Sequence, residues 1–262
     1  MMFDTSGLLG PEAEAWSEEN LKTHSKWFSL AASTAELAYD VVRKIEVNER
    51  DLRGIIVSAL LVRMIANFQA IELLLRKGMI SQAEVLARTL LETGISLAYA
   101  DESFENTKRF YDSSVARSVL DLRNLLAFSI RKGKQEDIRR TKEILSHYER
   151  SVEEYGAQQI SFKKMAKSVG RLDTYEVTYA RLCHAAHTRA EELMRRHLRV
   201  AENGLFRFKK FGPEDEGLMT VFLSSIEDMF LVMDIVTKRF ELGFKERIAE
   251  LSDQFRAEAE NI

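Results

Sequence analysis

A chain of 262 residues with 45% hydrophobic and 30% charged side chains can bury a sizeable core, and that balance excludes disorder as its general state. Its 38 basic and 41 acidic residues leave a net charge of −3, and the single cysteine, Cys183, excludes an internal disulfide or a four-thiolate zinc site and points to a reducing compartment. The first residues, MMFDTSGLLGPEAEAW, turn acidic early and lack the basic start and apolar stretch of a secretory signal, so a cytoplasmic location is expected.

Only Pro11 and Pro213 punctuate the chain, and no long run alternates with the two-residue period of a strand. With its abundant Leu, Ala, Glu, Lys and Arg, the sequence predicts an all-α, multi-helix bundle. Helices are expected over 12–47, 51–77, 81–100, 104–131, 134–155, 173–202 and 213–260, the first and last open to a break. They form one domain over 1–262, with a core at 51–202, an N-terminal helical extension at 12–47 and a long C-terminal helix at 213–260. The most apolar stretch, 54–75, is interrupted by Arg63, Asn67, Gln69 and Glu72, each costly at a bilayer centre, so it reads as a buried core helix with no membrane partner. Gly78 is a natural helix-ending residue, and Ser81 with Glu84 three residues on has the form of a capping box. The spacing predicts a central antiparallel helical hairpin over 51–100 that turns near Gly78.

On the second helix of that hairpin, Glu84, Arg88 and Glu92 are four residues apart and share one face. Leu86, Leu90, Leu91 and Ile95 leave little of the helix for solvent. Arg88 and Glu92 therefore read as a structural polar network, with Arg63 and Asn67 as a similar interior pair on the preceding helix, since buried charge must be paired to be tolerated; a solvated ion-pair ladder and a site role are the alternatives.

The run 173–202 holds three of the five histidines, His184, His187 and His197, together with Arg181. Spacings of three and four place Arg181, His184, Thr188, Glu191 and Arg195 on one polar face, with His187 at its edge. His184, His187 and Glu191 have ligand spacing but none of the established metal motifs, so neither a metal nor another cofactor is expected. In the last segment, Met219, Phe222, Leu223, Ile226, Met229 and Phe230 cover more than one helical face. Such a helix is buried on several sides, either within a large bundle or between subunits, and a homodimer through this region is expected.

Two blocks carry a resemblance. Arg88-Thr89-Leu90-Leu91-Glu92 followed by Tyr99, and Tyr175-Glu176-Val177-Thr178-Tyr179 leading to Leu182-Cys183-His184-Ala185-Ala186-His187, resemble the R-(S/T)-L-x-E and Y-x-x-x-Y…L-S-x-x-x-H blocks of an uncharacterised bacterial helical family, a domain of unknown function. Cys183 stands where that pattern has serine. The resemblance singles out Arg88, Glu92 and His187 and implies no activity.

Arg181 and His187 also have the R-x(4–6)-H spacing of the higher eukaryote and prokaryote nucleotide-binding helical domains, compact bundles that this chain resembles. That resemblance implies a metal-independent ribonuclease acting as a dimer, with Arg181, His187 and His184 as catalytic residues. A histidine would take the proton from an RNA 2′-hydroxyl while an arginine stabilises the charge on the attacked phosphate. On a straight helix, six residues separate the two by about 120 degrees, so they would converge only through a helix distortion or a second subunit.

Between 161 and 210 there are twelve basic and five acidic residues, a net of +7 that leaves −10 for the rest of the chain. Lys163, Lys164 and Lys167, and then Arg207, Lys209 and Lys210, interleave with Phe162, Phe206, Phe208 and Phe211, a composition suited to phosphate contact and base stacking. The same Phe-x-Phe alternation equally fits a short buried extension with its charges facing water, and the basic region equally fits the acidic ends of a partner subunit, such as 12–19 or 241–260. The expected function is an RNA-directed helical protein. The alternative is a non-enzymatic interaction or regulatory module in which Arg88, Glu92 and His187 only organise the core.

Overall fold

A computed structural model describes residues 7–186, 190–200, 206–209 and 212–261. It is a multi-helix bundle. The N-terminal extension divides at His24 into α1 (Pro11–Thr23) and α2 (Ser25–Lys44). The central hairpin is α3 (Leu52–Arg76) and α4 (Ile80–Glu102). A second hairpin follows, α5 (Phe104–Arg131) and α6 (Gln135–Tyr155). The C-terminal segment divides into α11 (Leu218–Arg239) and α12 (Lys245–Ala259), separated at Glu241, which takes the left-handed conformation.

The turn of the central hairpin is set by Gly78. With φ at +66°, its N–H bonds the Leu75 carbonyl at 3.0 Å and the Met79 N–H reaches back to Leu74 at 2.9 Å, the paired closure of a helix that ends on glycine. Neighbouring elements enclose it. Asn20 of α1 donates from Nδ2 to the carbonyls of Leu75 and Arg76 at 3.0 and 3.2 Å, and the Glu214 N–H bonds the Gly78 carbonyl at 3.0 Å. The predicted capping box does not form. α4 starts one residue early, at Ile80 after an uncapped Met79, and the Glu84 carboxylate is taken up by Arg196 instead.

The core gathers around α4 and α11. α11 packs on α4, α2, α3 and α12, with Phe222, Ile226, Met229 and Met233 fully enclosed, so its apolar girth is used inside the bundle. α3 buries Val57, Leu61, Met64, Phe68 and Leu75 against these helices. It is long and apolar enough to cross a membrane, but here it lies as a bundle helix whose other face exposes Ile55, Val62 and Leu73. The expected interior pair on α3 is corrected. Arg63 is exposed, because it falls about 130 degrees round the helix from the buried stripe. Asn67 is half-buried at the edge of that stripe, and its buried Nδ2 has no hydrogen-bond partner among the described residues.

The run expected as one helix over 173–202 is broken. α7 (Phe162–Ser168), capped by Ser161 and closed at Gly170, precedes α8 (Leu172–Thr174), a π-helical turn at Tyr175–Tyr179 and α9 (Ala180–Ala186). α10 (Ala190–His197) then leads into β1 (Leu198–Val200), which pairs antiparallel with β2 (Phe206–Lys209). This two-stranded ribbon departs from a strand-free chain. The Phe-Arg-Phe-Lys alternation supplies β-forming aromatics, and a pairing partner ends the helix at His197.

Candidate functional site

Of the residues the sequence singles out, the fold brings Arg88, Glu92 and Tyr179 together. α4 places Arg88 and Glu92 one turn apart, and the Arg88 Nε donates to the Glu92 carboxylate at 3.2 Å. The π turn carries Tyr179 across to α4, where Arg88 Nη2 donates to its hydroxyl at 2.8 Å and the guanidinium lies 4.9 Å from the ring centroid. Tyr175 stacks on Tyr179 with ring centroids 4.6 Å apart. Burial, together with a hydrogen bond to the Glu92 carboxylate, pushes the Tyr179 hydroxyl up to about 12, against the opposing pull of Arg88. It stays protonated at neutral pH and links Arg88 to Glu92. The spacing of Arg88 and Glu92 was legible as an ion pair. Their third member was marked only by the Y-x-x-x-Y block, because nothing on one helix shows what the facing helix supplies.

Two further arginines from the basic region are used internally. Arg196 of α10 is buried to 3% exposure and pairs through Nη2 with Glu84 at 2.5 Å and through Nη1 with Glu214 at 2.7 Å. Arg171 pairs with Asp228 of α11 at 2.8 Å. Burial raises the Asp228 carboxyl to about 6 despite the guanidinium beside it, the mark of a charge pair drawn deep into the core. In sequence these arginines look no different from the exposed cations around them.

The remaining predicted residues whose side chains are described lie on α7 and α9. Lys163 pairs with Glu176 at 2.7 Å, while Lys164 and Lys167 are exposed. Arg181 and His184 are exposed on α9. His187, Thr188 and Lys210, and the side chains of Arg195, Arg207 and Lys209, lie outside the described residues. The π turn nevertheless matters for Arg181, since one extra residue in a turn rotates the following helix by about 100 degrees relative to an uninterrupted one. Cys183 is a half-buried free thiol on the same short helix.

No curated protein and no solved structure matches the chain. A family model described as "Family of unknown function (DUF5677)" matches residues 54–205. The matched span starts within α3, takes in Arg88, Glu92 and Tyr179, and reaches past β1. With more than half of its length under that match, the chain belongs to the DUF5677 family of unknown function.

Proposed function

We propose that the protein is a non-enzymatic helical interaction module in which the charged residues marked by the sequence hold the bundle together. What supports this reading above all is the unit of Arg88, Glu92 and Tyr179, in which the Arg88 Nε and Nη2 are engaged by the Glu92 carboxylate and the Tyr179 hydroxyl and the tyrosine is protonated. The internal pairing of Arg196 and Arg171 points the same way, since it withdraws two cations from the surface that would meet phosphate. A second reading keeps an RNA-directed, metal-independent nuclease with Arg181 and His187 as its pair. The π turn directly before Arg181 favours it, because such turns recur at functional sites and a distorted helix is what that pair needs to converge.

The two readings part in one experiment. Labelled single-stranded RNA is incubated with the full chain at low salt, with and without EDTA, beside Arg181→Ala and His187→Ala variants. The interaction module leaves the RNA intact in every lane. Cleavage that survives EDTA and falls a hundredfold or more in either variant, the usual worth of a proton-transfer or charge-stabilising group, establishes the nuclease instead.

A further inference from the structure

The α5–α6 hairpin leaves a surface unfilled. α6 packs on α5 and on no other described element to a comparable extent. The seam between them buries Val119, Ser129, Thr141 and Leu145, a thin core for two helices of 28 and 21 residues. Large apolar side chains stay in solvent, among them Leu125 at 49%, Phe128 at 42% and Ile144 at 39% exposure.

Leu120 and Ile130 project from other sides of α5, but Leu125 and Ile144 share one face of the hairpin. Near the base of the hairpin a groove of about 360 Å³ runs between the two helices, lined by Ser114 and Ser118 of α5 and by His147 and Ser151 of α6, with Tyr111 and Tyr155 closing its end. Leu125 lies seven residues after Ser118, and Ile144 seven before Ser151. Two helical turns bring side chains back to nearly the same face, so both continue the rims of the groove toward the hairpin tip. One face of the hairpin thus carries hollows of small residues at its base and apolar knobs at its tip.

Charge follows the same division. Between 131 and 143, around the tip, there are six basic residues and three acidic ones. Near the base, α6 carries Glu149, Glu153 and Glu154 against Arg150 while α5 carries Lys108, Arg109 and Arg117 against Glu105 and Asp112, so the base is close to neutral.

We infer that the partner of this face is a second copy of the chain, whose hairpin docks antiparallel so that each tip meets the other's base. A surface with knobs at one end and hollows at the other is complementary to itself under a two-fold rotation, which pairs residue i with j and j with i. The rotation also lays each basic tip on a base that is close to neutral, whereas a parallel arrangement would set the two basic tips together. The face, about 30 Å long by the rise of a helix and two helices wide, offers roughly 600 Å² in projection, close to the ~800 Å² per partner of a stable interface. Four helices around one seam complete the core that two leave thin. The pairing rests on the interaction-module reading and gives it a surface and a partner.

Light scattering on the full chain at tens to hundreds of micromolar is expected to return twice 30.1 kDa, and Leu125→Glu with Ile144→Glu is expected to return 30.1 kDa with an unchanged helical circular dichroism spectrum. The register is read by cross-linking in a Cys183→Ser background. Ser118→Cys with Leu125→Cys should form a covalent dimer on mild oxidation, while Leu120→Cys with Ala127→Cys, at the same spacing on the opposite face, should not. Within one chain either pair is about 10 Å apart along the helix, too far for an internal disulfide. A monomeric wild type, a dimer that survives the two glutamates, or equal cross-linking on both faces overturns the pairing. A monomer that leaves RNA intact refutes the pairing alone, and a dimer that cuts RNA refutes the interaction reading alone.

Discussion

Replacing Arg196 by alanine is expected to lower the stability of the protein by about 3–5 kcal/mol, the range for removing one partner of a buried charge pair. The side chain is 2% exposed, and the carboxylates it holds, Glu84 and Glu214, are 16% and 13% exposed. The loss is large because both carboxylates then remain in a low-dielectric site without the guanidinium. Glu84→Gln in the same chain should recover part of it by removing one of the two negative charges. Urea unfolding followed by circular dichroism gives both numbers. An Arg196→Ala variant within about 0.5 kcal/mol of the wild type, the range of an ordinary surface substitution, would show that the triad carries no weight.

Gly78→Ala is expected to cost about 2–4 kcal/mol, from roughly 1 kcal/mol for a side chain at positive φ and about 1–3 kcal/mol for overpacking. A Cβ at this position would stand 2.7 Å from the Trp16 ring and 2.7 Å from the Pro213 Cβ, and neither group can swing aside as a flexible chain end would. The consequence reaches beyond one turn. Trp16, Asn20 and Glu214 all meet the chain at this turn, so a displaced Gly78 loosens α1 and the segment before α11 together. Lower thermal midpoints with the helical signal retained below the transition are the expected result. A Gly78→Ala protein as stable as the wild type would mean that the turn relaxes freely.

The features that were legible in the sequence are those decided within one helix. Periodicity and the glycine at 78 placed the central hairpin, and Ser103 caps α5 where the pattern starts, its side chain accepting from the Asn106 N–H at 3.1 Å. The features that were not legible are decided between helices. Arg63 and Arg196 look alike in sequence, yet one is exposed and the other buried, because only the packing of neighbours fixes which side of a helix meets solvent. The capping box at Ser81 was lost for the same reason, since Glu84 has a stronger partner in Arg196, 112 residues away. The segment 198–200 was read as helix because the ribbon depends on a strand that follows it in sequence. α7 was overlooked although Ser161 and Gly170 mark its two ends, since its seven residues are too few for a periodic signal.

At the candidate site the sequence offered Arg88 and Glu92 as a pair and Tyr179 as part of a separate block, and the fold joins them. Whether this unit holds the bundle or serves a ligand is best measured by a double-mutant cycle on Arg88→Ala and Tyr179→Phe, read by urea unfolding. The phenylalanine keeps the ring and removes only the hydroxyl that Arg88 bonds at 2.8 Å. A structural unit gives single variants that are each destabilised and a coupling of about 1–2 kcal/mol, as for a hydrogen bond to a charged group. Coupling below about 0.3 kcal/mol, within the scatter of independent sites, with both variants as stable as the wild type, would contradict the account and return these residues to the surface as a binding site.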